Sequence, residues 1–182
     1  MVFLRRLALS LGLALCGTQG LAHALPGTSL TIRAEAEATL LTITLPLHEL
    51  DLAMPDGTGL GSDPATGPVP EGARERIAAY LATHLAVATA SAEDLDLRLA
   101  EARLERAQDD HVGAYDLLVI DLTAPAAAFP LTLRYDAIMH EVRNHRAAVH
   151  LQAQGAAPVG IGVIRVDPAT GKANAVTIPA LP

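Results

Sequence analysis

"LTLRYDAIMHEVRNHRAAVHL", residues 131–151, decides how this chain folds, because its reading as a hairpin or a helix fixes what its three histidines can do. Leu131, Leu133 and Tyr135 alternate with Thr132 and Arg134, the period of a half-buried strand. The hairpin reading carries that strand to Val142, turns near Asn144 and returns through Arg146 to Leu151. Loop length then selects the partners. A turn over Asn144 and His145 puts His140 and His150 on opposite faces of the sheet, whereas a turn over residues 143–145 puts them on one face at a diagonal. The helical reading rests on Ile138, Val142, His145 and Val149, and it separates His140 from His145 by about 140 degrees at ~100 degrees per residue. Only the longer-turned hairpin allows chelation, with His140 and His150 as ligands and Glu141 and His145 beside them. The ion would be nickel, copper or zinc, which imidazole suits. The strand alternation favours the hairpin. The favoured expectation for the histidines is surface or boundary groups, with no cofactor.

Working outward, the same two periods organise the rest. Leu30, Ile32 and Ala34, then Leu41, Ile43 and Leu45, alternate with polar neighbours and predict two strands. "PDGTGLGSDPATGPVPEG", residues 55–72, is too rich in glycine and proline for helix or ladder and predicts a long surface loop. "ARERIAAYLATHLAV" places Ile77, Leu81, His84 and Leu85 on one helical face, which predicts an amphipathic helix with His84 as a core or boundary residue. Leu95, Leu97 and Leu99 alternate strictly, so a strand with a phase slip near Ala100 is preferred over a helix capped by Ser91. Residues 117–122, "LLVIDL", are apolar on both faces and belong in the middle of the structure. Val163 to Val166 and Val176 to Ile178 read as a last hairpin around a turn over residues 167–172. The fold class is mainly β, an antiparallel sandwich-like domain with one amphipathic helix.

The opening "MVFLRRLALSLGLALCGTQGLAHA" has basic Arg5 and Arg6, an apolar run over residues 7–16 and a small-x-small ending at Ala22 and Ala24. It predicts a signal peptide over residues 1–24, cleaved after Ala24, since the run is short of the ~20 apolar residues of a span. Leu13, Ala14 and Leu15 fit poorly with a lipid-modified start at Cys16. Of 182 residues, 158 remain for a single exported β-rich domain, residues 25–182, and loss of two arginines moves the formal charge from −7 to −9. That charge repels nucleic acid and anionic lipid. The sole cysteine leaves with the signal, so stability rests on an aliphatic core without disulfides or tryptophan.

"FPLTLRYDAIMHEVRNHRAAVHL", with the "YLATHLAV" helix and "YDLLVIDLTAP", resembles the N-terminal extracytoplasmic region of HupE/UreJ-type hydrogenase and urease accessory membrane proteins, over roughly residues 25–166. The resemblance implies a periplasmic domain of similar shape. Members of that family continue into transmembrane helices rich in histidine and aspartate, and no such segment is expected in the mature chain. Transport is therefore not carried over.

No G-x-S-x-G elbow, no H-E-x-x-H and no phosphate-cradling glycine loop occurs in the sequence. The expectation is a non-catalytic periplasmic or secreted module that meets an envelope or membrane protein. A transition-metal binding protein is the alternative and a hydrolase the weaker one. Asp136, Glu141 and Arg143 read as strand-face charges, and Tyr115 and Tyr135 as packing residues with a polar tip.

Overall fold

The computed structural model describes residues 27–110 and 112–180, so the expected signal, Cys16 and the cleavage point lie outside the described residues. In chain order the elements are β1 Thr28–Ala34, β2 Ala38–Pro46, α1 Leu47–Ala53, β3 Gly67–Pro68, α2 Glu71–His84, β4 Leu85–Ala88, β5 Arg98–Asp109, β6 Gly113–Pro125, β7 Leu131–Tyr135, β8 Arg146–Gln152, β9 Val159–Arg165 and β10 Val176–Ile178. Strands β3-β5-β6-β2-β1-β8-β9 form one sheet and β10-β7-β4 a smaller antiparallel one. The protein is a mainly β, sandwich-like domain with two short helices among the described residues, one more than the sequence pattern showed. The larger sheet departs from purely antiparallel pairing at one place, where β1 runs parallel to β8 with Leu30 opposite Val149.

Alternation builds the core. Leu30 and Ile32 from β1, Leu41, Ile43 and Leu45 from β2, and Leu118 and Ile120 from β6 are sealed on one face of the larger sheet. Leu131 and Leu133 of β7 and Ile178 of β10 are sealed from the other side, in the same apolar cluster. β6 lies inside the sheet between β5 and β2, as its two-faced apolar run requires. β5 begins at Arg98, so Leu95 and Leu97 of the expected alternation precede it, but it carries the expected phase slip: its register with β6 jumps between Leu99 and Glu101, so Ala100 is the extra residue of a β-bulge.

Three expectations are corrected. Residues 131–151 form neither hairpin nor helix, because β7 belongs to the small sheet and β8 to the large one, with residues 136–145 crossing between them. The reason is legible in the burial. Ala137, Ile138 and Met139 are all sealed, which the half-buried alternation of Leu131 to Tyr135, with Thr132 and Arg134 turned outward, could not do if it simply continued. The backbone instead breaks at Ile138, at φ 71°, whose N–H donates to the Tyr80 hydroxyl at 2.9 Å. The C-terminal hairpin is reduced to one bridge between Val166 and Ala173, after which β10 pairs with β7. Gly162 permits this, since a Cβ there would meet Val176 Cγ1 at 3.0 Å. Finally, the 55–72 stretch lies at the surface as expected, but it holds a short ladder and the start of a helix and is tied down at Thr58. Thr58 is sealed, giving both its N–H and its hydroxyl to Asp51, at 2.6 and 2.7 Å. Arg76 holds the Thr58 carbonyl, Gly67 and Pro68 pair with β5, and α2 begins at Glu71. Among the described residues no helix is long and apolar enough to cross a membrane.

Candidate functional site

The crossover 136–145 gathers the chemistry-bearing side chains, but not in the set that spacing suggested. His145 closes it and points into the core, where its side chain is 1% exposed. Its Nδ1–H donates to Glu49 Oε2 at 2.5 Å, and its Nε2 accepts from the Thr28 hydroxyl at 2.8 Å. Tyr135 OH in turn donates to Thr28 Oγ1 at 3.1 Å. Because a carboxylate only accepts, Glu49 fixes the His145 tautomer and the direction of every later bond in the chain. Burial pushes His145 below the ordinary imidazole value, against the opposing pull of Glu49. Burial likewise raises the Tyr135 phenol, which stays a donor. An acid, an imidazole and a hydroxyl in line resemble a hydrolytic relay, yet Thr28 is 2% exposed and Tyr135 caps its oxygen. A substrate cannot reach that hydroxyl, and the relay joins α1, β1, β7 and the crossover as a structural tie.

His140 takes the opposite direction. It stacks on His84 at the end of α2, with ring centroids 4.9 Å apart and planes within 6°, and its Nε2 donates to the Ala53 carbonyl at 3.2 Å. His84 Nδ1 donates to Asp136 at 2.8 Å, and Tyr80 leans on the same ring. His84, Asp136 and His140 form one wall of an open cleft of about 550 Å³ whose other walls include Arg134, Met139, Lys172 and Asn174. Lys172 is the chain's only lysine and has no carboxylate partner among the described residues.

His150 lies elsewhere. On β8 the residues Ala147, Val149 and Leu151 face the core, so His150 stands on the outer face of the larger sheet, beside Ser29 at 3.3 Å. Glu141 is exposed in the crossover turn. His140, Glu141, His145 and His150 are therefore not brought together, because the crossover sends each to a different surface. Nor do His140 and His84 converge on one ion as they stand, since the in-plane lone pairs of parallel rings run in separate planes. Among the described residues no three His, Cys, Asp or Glu side chains are placed to hold a metal.

Sequence reasoning missed Glu49, Thr28 and Asp136 as partners. Leu47, Leu50 and Ala53 repeat at helical spacing after Pro46, which was the available sign of α1 and hence of an inward Glu49. A scan against family models finds no match to this chain, and a search of curated proteins finds none either.

Proposed function

We propose that this chain is an exported, non-catalytic accessory module that holds a segment of an envelope or membrane protein. The cleft beside α2 carries this reading. It is open, it mixes apolar walls with polar groups, and its Lys172 is left without an internal partner among the described residues. The resemblance of the crossover region to a HupE/UreJ-type extracytoplasmic domain supports the same class of role, and the signal-like residues 1–24 support export. The buried relay supports it from the other side, because the one acid–imidazole–hydroxyl series described here is closed to substrate. Metal binding, the alternative, would need the histidines to leave their present partners.

The test is site-specific photo-crosslinking in exporting cells, with the reactive amino acid in place of Lys172 or, as control, of exposed Glu75. A dominant adduct with one envelope protein from position 172 and none from position 75 is expected. No adduct from the cleft, or equal adducts from both positions, would reject the proposal.

A further inference from the structure

Arg146 opens β8 and Arg165 closes β9, and the two stand directly opposite one another in the antiparallel ladder. Both are exposed. Elsewhere Arg33, Arg74, Arg98, Arg103, Arg106 and Arg134 each lie within ion-pair distance of a carboxylate. Among the described residues Arg146 and Arg165 have no such partner, and neither does Arg143, three residues upstream. A chain with 20 acidic and 13 basic residues thus leaves these arginines free at one end of one strand pair. Directly opposed like charges weaken a ladder, so the fold gains nothing from the arrangement.

A second observation falls on the same face. Ala147, Val149 and Ile164 point to the core, so Arg146, Ala148 and His150 share the outer face with Val163 and Arg165. Val163 is 49% exposed. Ala148 is paired with Val163 one step along from the arginines. The patch therefore sets two cationic side chains beside an exposed apolar one. The strand edge beside it is partly closed, because the Asn174 side chain bonds Val163 O and Arg165 N, which leaves the face rather than the edge as the recognition surface.

We propose that the outer face of β8–β9 docks an acidic, valine- or leucine-bearing segment of a partner protein, its carboxylates on Arg146 and Arg165 and an apolar side chain on Val163 and Ala148. Paired guanidinium forks match carboxylates in geometry as well as charge. The chain's overall negative charge disfavours an anionic membrane as the occupant. This surface is distinct from the cleft, so the crosslinking result at Lys172 and the result below stand or fall separately.

The probe is a fluorescein-labelled peptide of sequence EVEVE, with QVQVQ as control, followed by anisotropy against the whole exported protein at low salt. Binding of EVEVE should be about tenfold tighter than that of QVQVQ, and Arg146→Glu should lower it by about tenfold. The same substitution should hold or raise the melting temperature, since it turns a like-charge pair into an opposite-charge pair, and a merely structural arginine would not separate the two readouts. Val163→Thr should weaken binding several-fold with folding intact. Equal affinity for the two peptides, no binding, or indifference to Arg146→Glu would overturn the proposal. So would binding of phosphatidylglycerol vesicles, or self-association in sedimentation, lost in that variant.

Discussion

Proton occupancy at His145 links one ring to the whole fold. When Nε2 is protonated it becomes a donor, so the Thr28 hydroxyl must turn toward Tyr135, whose own O–H then has no acceptor in the core. Burial lowers the folded value below the 6.5 of a free imidazole, so the unfolded chain binds the proton first as pH falls. Stability is expected to be full above that value and to decline below it, by at most about 1.4 kcal/mol per pH unit from this ring. Denaturant midpoints from pH 8 to 5 should show the decline, and His145→Gln should flatten it. His140 and His150, held to different elements, make a second expectation at this scale. Added nickel or zinc should leave the melting temperature of the parent unchanged, and likewise that of His140→Ala and His150→Ala. A rise in the parent that both variants lose would restore the shared metal site.

Elements show most clearly what periodicity can and cannot convey. β1 and β2 were legible because each buries one side chain in two and β6 because its apolar run covers both faces, and even the bulge at Ala100 in β5 announced itself as a slip of the alternation. The crossover was not legible, because Leu131 to Tyr135 set a strand phase that nothing in residues 136–145 visibly ends: no glycine or proline stands there. Tertiary burial of Ala137 to Met139 overrides the local pattern, and so the partners of three histidines were misassigned together. Ile120, sealed on β6, tests the interior strand: Ile120→Asp should unfold the domain at room temperature, because an unpaired buried carboxylate costs several kcal/mol of the ~5–15 that a domain holds. An unchanged thermal transition would mean that water reaches this strand. Trypsin-independent proteases such as subtilisin should nick first between residues 59 and 66. Thr58 upstream is anchored by Asp51 and Arg76, and Gly67 downstream by β5, so first cuts within residues 117–122 would contradict the layout.

At the scale of the molecule the sandwich class was readable from the recurrence of strands and turns, while the sheet to which each strand belongs was not. β10 illustrates this: its alternation is identical whether it returns along β9 or joins β7, and the vacancy of a side chain at Gly162, a fact of three dimensions, goes with the second course. Export adds an expectation about the ends. Mass spectrometry of the protein recovered from the cell envelope should find Leu25 as the first residue, which makes Thr28 of the relay the fourth residue of the mature chain. An intact Met1, or a lipid on Cys16, would contradict it.

The parallel pairing of β1 with β8 has a consequence in time. β1 is the first described strand that the ribosome delivers, yet one of its two neighbours arrives more than a hundred residues later, as the separation of 117 between Thr28 and His145 records. Until then the layer that covers Leu30 and Ile32 is incomplete, since β7, which supplies part of that layer, is also late. Contacts of such long separation are reached only after their loop entropy has been spent, which slows folding. A nascent chain of this design stays open through most of its synthesis. If the chain is exported as proposed, that delay suits threading through a translocation pore, because the chain reaches the far side before it has a shape to lose.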